Sequence, residues 1–139
     1  MKNFVLAIIA GALVGIGGTV YLSSESKFIG ATLFTFGLFF VLVYQFKLYT
    51  GLVGYALSNN KKANLGLIPI IIGNTIGAVL VGYSLRFTRL LTTLGPKAIT
   101  LVNLKLGDSW VSILILSAFC GLLMYLAANT FYKGKSNDI

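Results

Sequence analysis

The side chains that could carry chemistry are few in this sequence and lie far apart. It contains three carboxylates, Glu25, Asp108 and Asp138, one cysteine, Cys120, and no histidine. General acid–base catalysis needs an acid and a base within reach of one substrate, and a nucleophilic serine needs a base beside it. Carboxylates in separate polar segments meet neither requirement, so we predict that the protein is not an enzyme. A lone thiol forms no intrachain disulfide, and we expect no metal and no cofactor.

Positive charge is the next feature with chemical consequences. Eleven Lys and Arg residues against three acidic ones give a net charge of +8. Such an excess can indicate nucleic-acid binding, but here the basic residues stand singly or in pairs at the edges of apolar runs. Membrane proteins place Lys and Arg in this way at the lipid headgroups. We therefore expect the partner to be a lipid bilayer and not a nucleic acid.

The composition indicates which elements must position these residues. Hydrophobic residues make up 57% of the chain and charged residues 10%, whereas a soluble domain has roughly 25% charged residues. A bilayer-spanning helix needs about 20 apolar residues, and four such runs with their loops use the whole length. We predict an all-α integral membrane protein with about four transmembrane helices in a single domain, residues 1–139. The apolar runs are residues 4–22, 28–57, 65–85 and 109–132.

The second run, residues 28–57, is too long for one straight span and is interrupted at Lys47. We predict a break near Leu48 to Gly51, with Thr50 and Gly51 in non-helical backbone inside the membrane. Glycine permits unusual dihedral angles, and the Thr50 hydroxyl can bond the backbone groups that a break frees. An alternative remains open, in which Lys47 snorkels from the end of a helix to the interface and an interfacial segment follows.

Small residues at four-residue spacing predict close helix packing. Gly11 and Gly15 stand on one side of the first run, and Gly73 and Gly77 stand in the third. In lipid, such residues let two helix backbones approach each other, and a polar side chain such as Asn74 can hydrogen-bond between helices. No Lys-Ser or Lys-Thr follows the first glycines, so a phosphate-binding loop is not indicated.

The segment between the third and fourth runs is less apolar, and Gly95-Pro96 predicts a break within it. The basic residues do not orient the chain, because the positive-inside rule gives an equal count on both sides. One side would hold Lys2, Lys61, Lys62, Lys133 and Lys135, and the other would hold Lys27, Arg86, Arg89, Lys97 and Lys105.

Four segments resemble, in order and in spacing, those of the formate/nitrite transporter family, prokaryotic membrane proteins of aquaporin-like shape that conduct small monovalent anions. The glycine-rich AGALVGIGG occupies residues 10–18, and FGLFFVLVYQFKLYTG occupies residues 36–51. IIGNTIGAVLVG, residues 71–82, matches the GNxxGA helix of the family, and AFCGLLMYLAA, residues 118–128, resembles its fourth helix. The resemblance covers nearly the whole chain.

The resemblance implies a channel or transporter subunit for anions such as formate or nitrite, with the second helix broken by a loop that includes Gly51. By the same match, Thr50 corresponds to the threonine that faces the pore, and Tyr49 to the aromatic residue of the cytoplasmic constriction. Leu38 corresponds to the leucine of a further constriction, and Lys105 to a lysine that draws the anion towards the pore. The family also implies a homo-oligomer, a pentamer, in the prokaryotic cell membrane.

Both termini are expected in the cytoplasm on the same resemblance, together with Lys61 and Lys62. Arg86, Arg89 and Lys97 would then lie outside, and with Lys105 they would form a positive mouth. Three residues of the third run, Gly73, Asn74 and Gly77, are expected to lie in a contact between packed helices.

The sequence also departs from the family. Members usually have an acidic residue where Lys47 stands, and many have asparagine where Gly121 stands. Family chains have six helices in an inverted repeat, and a second broken helix carries a histidine opposite the pore threonine. An alternative hypothesis is therefore a truncated or split relative that does not conduct alone and assembles with a separate chain supplying the missing helices. A third is an unrelated four-helix membrane protein with a structural role.

Overall fold

The computed structural model describes residues 2–56 and 64–137, which form helices joined by short turns and contain no strand. The predicted all-α class is confirmed, and 88% of the described residues are helical. The predicted polar loop with Lys61 and Lys62 lies outside the described residues. The helices are α1 (Lys2–Ser23), α2 (Lys27–Val43), α3 (Tyr49–Leu52), α4 (Leu67–Ser84), α5 (Leu90–Leu106) and α6 (Trp110–Asn137), with 3-10 turns at Val53–Tyr55 and Leu85–Phe87.

Within the described residues, three helices are long and apolar enough to cross a membrane: Lys2–Ser23, Leu67–Phe87 and Trp110–Gly134. The fourth apolar helix, α2, has 17 residues. At 1.5 Å per residue its length is about 26 Å, at the lower limit for a span of the hydrocarbon core. Each of the four apolar runs predicted from the sequence therefore contains an apolar helix, and the membrane class is confirmed.

Helix α1 lies at the centre and packs against α4 on one side and α2 on the other. Its contact with α4 is very close, because both helices present small buried residues there. A Cβ placed on Gly77 would collide with the backbone carbonyl of Ile8, and one placed on Gly73 would lie 2.8 Å from the Ala7 Cβ. Only small residues allow two backbones to approach this far, and in lipid such contacts favour helix association.

The break in the second apolar run is present, but it covers Tyr44 to Leu48 and starts four residues earlier than predicted. Thr50 and Gly51 lie inside α3, so the prediction of non-helical backbone at these two residues was wrong. The residue that leaves the helix is Gln45, whose φ of 56° is in the left-handed region. Helices commonly end on a left-handed residue, and glycine is the usual one, which is why Gly51 suggested the wrong position.

Helix α5 is continuous from Leu90 to Leu106, so the predicted break at Gly95-Pro96 was also wrong. A proline inside a helix costs about 3 kcal/mol, and packing offsets this cost. Leu94 is buried, and with Gly95 and Ala98 it lines a cavity beside α1 and α4. The Nζ of Lys97 donates a hydrogen bond to the Leu22 carbonyl at 3.1 Å, near the end of α1.

Helix α6 packs on the segment that follows the break. Its main contacts are α3 and the 3-10 turn after it. Ala128 is buried against Gly51, and the ring of Tyr125 covers Gly54 and meets the ring of Tyr55 edge to face at 4.9 Å. The break therefore brings α3 between α4 and α6, where it forms one wall of a cavity.

Candidate pore site

A cavity of about 430 Å³ lies between α1, α2, α3, α4 and α6. Leu38 contributes from α2, Tyr49 and Thr50 from α3, and Cys120 and Met124 from α6. The wall is predominantly apolar, and Asn74 and Thr75 of α4 are its other polar members. A cavity of this kind gives a small polar ligand few partners, so the position of each polar group decides what can bind.

The structure brings together three of the five residues to which a pore role was assigned. Leu38, Tyr49 and Thr50 all line the cavity. Gly51 does not, because it is buried on the opposite side of α3, where a Cβ would lie 3.5 Å from the Ala128 Cβ. Lys105 is exposed in the last turn of α5 and is not part of the cavity wall.

The hydroxyl of Thr50 has no hydrogen-bond partner among the described residues. Threonines within the long helices differ: Thr35 and Thr75 each donate to the carbonyl four residues earlier, at 3.0 and 2.9 Å. The carbonyl four residues before Thr50 is that of Phe46, in the break, where it accepts the N–H of Leu48 at 3.1 Å. The break therefore removes the usual partner of the Thr50 hydroxyl and leaves the hydroxyl available to a ligand.

The backbone groups that the break frees are bonded by Asn74, and not by Thr50 as the sequence suggested. The Tyr49 N–H donates to Asn74 Oδ1 at 2.8 Å, and Asn74 Nδ2 donates to the Lys47 carbonyl at 2.8 Å. A third bond joins Nδ2 to the Ala7 carbonyl of α1 at 2.7 Å. One carboxamide therefore connects α4, α1 and the break.

Sequence reasoning did not place Cys120 and Met124 in the wall. They stand four residues apart, so they share one face of α6 and both reach the cavity. The four-residue spacing of Met124 from Cys120 could have suggested that both lie on one face of α6. However, α6 is apolar on all sides, so its sequence pattern does not show which face turns inward.

The basic residues differ in what they contact. Lys47 is half-buried beside the break and forms no ion pair with a described residue. Arg86, Arg89 and Lys105 are exposed. Lys97 is exposed too, but its ammonium group bonds a carbonyl near the end of α1, a place where a positive charge is favourable. No group of residues in the described part of the chain could hold a metal ion.

The fold and the site together define an all-α membrane protein whose second apolar helix is broken beside a partly open cavity. The sequence matches the formate/nitrite transporter family over residues 1–137. The chain belongs to this family of membrane anion transporters, and the resemblance found in its motifs is confirmed. Neither a curated protein nor a solved structure matches the chain.

Proposed function

We propose that the protein is a channel or transporter subunit for small monovalent anions such as formate or nitrite, and that the anion passes Thr50 in the cavity. The Thr50 hydroxyl, which has no partner among the described residues and lies in a predominantly apolar wall, is the observation that supports this most directly. A carboxylate or nitrite oxygen accepts hydrogen bonds, and a hydroxyl can donate one without first breaking a bond inside the protein.

An anion pays a large desolvation cost on entering an apolar space, so a path must supply donors and positive potential. Thr50 supplies a donor inside the cavity. Lys105 is proposed to supply potential outside it, together with Arg86 and Arg89, because these three side chains are exposed and free to face an approaching ion. Lys47, half-buried at the break, adds a positive charge close to Tyr49 and Thr50 in the chain.

The cavity is too large to select formate by its volume. Water occupies about 30 Å³ in the liquid, so 430 Å³ holds an anion with much of its hydration. We infer that the cavity is a vestibule and that selection takes place where side chains narrow it. Leu38 and Tyr49 are the proposed constrictions, since they approach from two separate segments of the broken helix.

The proposed assembly is a homo-oligomer, a pentamer, in a prokaryotic cell membrane with both termini in the cytoplasm. Apolar side chains of α6 support an assembled or lipid-covered state: Trp110 is 76% exposed and Leu114 60% exposed. Surface of this kind needs a cover of lipid or protein. The same surface supports the alternative that a separate chain supplies further helices and that the present chain conducts only with it. Formate flux through the purified chain in vesicles is compared with formate flux through membranes of its natural host. Flux in both supports the homo-oligomer, and flux in the host membranes alone supports a separate partner chain.

Cys120 offers a direct test of the path, because it is the sole cysteine and lines the cavity. A small, water-soluble methanethiosulfonate added to membrane vesicles that contain the protein should attach to Cys120 and lower formate flux. Excess formate should slow the attachment. The Cys120→Ala variant is the matched control and should conduct with or without reagent. Complete attachment with unchanged flux, or a thiol that never reacts, would contradict a water-filled path through this cavity.

A further inference from the structure

The carboxamide of Asn74 joins three segments that are distant in the chain. It bonds the backbone of Lys47 and Tyr49, on either side of Leu48, and the carbonyl of Ala7 in α1, with distances of 2.7 to 2.8 Å. We propose that Asn74 is the positioning residue of the site: it fixes the backbone on both sides of Leu48 and so determines where Tyr49 and Thr50 stand in the cavity wall.

The break creates the need for such a residue. In a continuous helix, the Tyr49 N–H would donate to the carbonyl four residues earlier and the Lys47 carbonyl would accept from the residue four positions later. Helix α3 starts at Tyr49, and the residue before it, Leu48, has no side chain that can cap the helix. Water is scarce at membrane depth, so freed backbone groups must find partners within the protein. Asn74 supplies both partners from another helix.

The partners also fix the orientation of the carboxamide. Its oxygen faces an N–H donor, and its NH₂ group faces two carbonyl oxygens, so the opposite orientation would place donor against donor and acceptor against acceptor. An ionised aspartate at this position would lose both donors and would face two carbonyl oxygens. Leucine, of similar size, would leave the Tyr49 N–H and the Lys47 carbonyl without partners. Glutamine alone has the same groups, on a chain one methylene longer.

The position of Asn74 also couples the wall to the helix crossing. Its own backbone lies against Gly11 of α1, with Gly73 and Gly77 on either side in the same contact. The α1–α4 contact is very close, because a Cβ on any of these three glycines would meet backbone or Cβ atoms of the opposite helix within 3 Å. Asn74 therefore links this close helix contact to the irregular segment, residues 44–48.

Hydrogen exchange of the protein in lipid nanodiscs tests this without any assumption about transport. In Asn74→Leu, the peptide of residues 46–52, which contains the Tyr49 amide, should exchange about tenfold faster. The peptide of residues 117–124 in α6 should be unchanged. Asn74→Gln should restore most of the protection. Asn103→Leu makes the same chemical change at an exposed position of α5 and should alter neither peptide.

If exchange became equally faster in both peptides of Asn74→Leu, Asn74 would stabilise the whole bundle and not this segment in particular. If the exchange rate of the 46–52 peptide were unchanged, Asn74 would not stabilise the segment at all. Either result overturns the proposal. If Asn74→Leu fails to insert, Asn74→Ser, which retains one short polar group, is measured in the same way and should give the same local acceleration.

The effect on selectivity rests on the proposed function. In vesicles, Asn74→Leu should lower the ratio of formate to acetate flux about tenfold, and Asn74→Gln should recover most of it. Faster exchange in the 46–52 peptide with an unchanged ratio of formate to acetate flux would overturn the claim that this segment determines the shape of the cavity wall. Absence of formate flux in the unaltered protein would instead refute the proposed function, and the exchange result would still decide the role of Asn74.

Discussion

The backbone N–H of Phe46 donates to the carbonyl of Val41 at 2.9 Å, across the residue that ends the first half of the broken helix. The N–H of Gln45 donates to the Leu42 carbonyl at 3.1 Å. These two bonds form a Schellman motif, which requires a left-handed residue between them. Gln45 has that conformation, with φ of 56°. The helix is therefore ended by a specific backbone motif, and the carbonyls of Phe40, Val41 and Leu42 in its last turn are bonded.

Gln45→Gly should stabilise the protein by about 1 kcal/mol, since glycine adopts the left-handed conformation without the steric cost of a Cβ. Gln45→Val should destabilise it by more than that, because a β-branched residue is strained there. Gly51→Ala is the control at the position where the sequence predicted the break. It should cost little, since Gly51 is helical and an added Cβ would make an ordinary contact with Ala128. Chemical unfolding in detergent micelles measures all three. A larger loss in Gly51→Ala than in Gln45→Val would restore the break to the position predicted from sequence.

Two glycines of α4 make a second prediction, about helix packing. Gly77→Ala should destabilise the protein by about 1 to 3 kcal/mol, because the added Cβ meets the backbone of Ile8 and Ala12 and must push α1 away. Gly82→Ala, in the same helix, has nothing within 4 Å and should be neutral or slightly stabilising. Thermal unfolding in one detergent compares them, and equal stability of the two variants would argue against the close α1–α4 contact.

The overall architecture could be predicted from the sequence because the bilayer imposes it. A run of about 20 apolar residues must be helical in lipid, and an overlong second run must bend or break. The location of the break could not be predicted, because the left-handed residue is Gln45 and not a glycine. The side chain that accepts the first N–H of α3, from Tyr49, belongs to Asn74, which is 25 residues further along the chain. Likewise, Pro96 stays within a helix because tertiary packing of Leu94 outweighs its local cost.

The site was predictable in part. Leu38, Tyr49 and Thr50 follow from family motifs, and they do line one cavity. The contributions of Cys120 and Met124 depend on the rotation of α6, and an all-apolar helix does not reveal its inward face. That the Thr50 hydroxyl is unpartnered depends on where the break lies, so this property became visible only with the structure.

Charge at the mouth makes a third prediction. Lys105→Gln should lower formate flux roughly 2- to 5-fold at about 10 mM salt, where the Debye length is about 30 Å, and should have little effect at about 1 M, where it is about 3 Å. Lys2→Gln is the matched control, because it also removes an exposed positive charge. Lys2 lies at the start of α1, whereas Lys97 contacts the other end of that helix. A salt-independent loss in Lys105→Gln, or no loss at low salt, would remove Lys105 as the anion attractor.

Orientation makes a fourth prediction. Lys97 contacts the end of α1 that is remote from Lys2, so the two positions lie on opposite sides if α1 spans the membrane. In a Cys120→Ala background, Lys97→Cys should react with a membrane-impermeant thiol reagent added outside intact cells. Lys61→Cys should react only after the cells are opened. The reverse pattern would place the N-terminus outside.

Formate uptake by membrane vesicles containing Thr50→Val tests the central claim most directly, because valine has the shape of threonine and lacks its hydroxyl. A hydrogen bond to a charged group is worth about 1.5 to 3 kcal/mol, so uptake should fall about tenfold or more. Thr50→Ser should retain most of it. Thr35→Val removes a hydroxyl that is bonded within α2 and should leave uptake unchanged. Uptake by Thr50→Val equal to that of the unaltered protein, at matched protein content, would show that the anion does not use this hydroxyl and would contradict the proposed path.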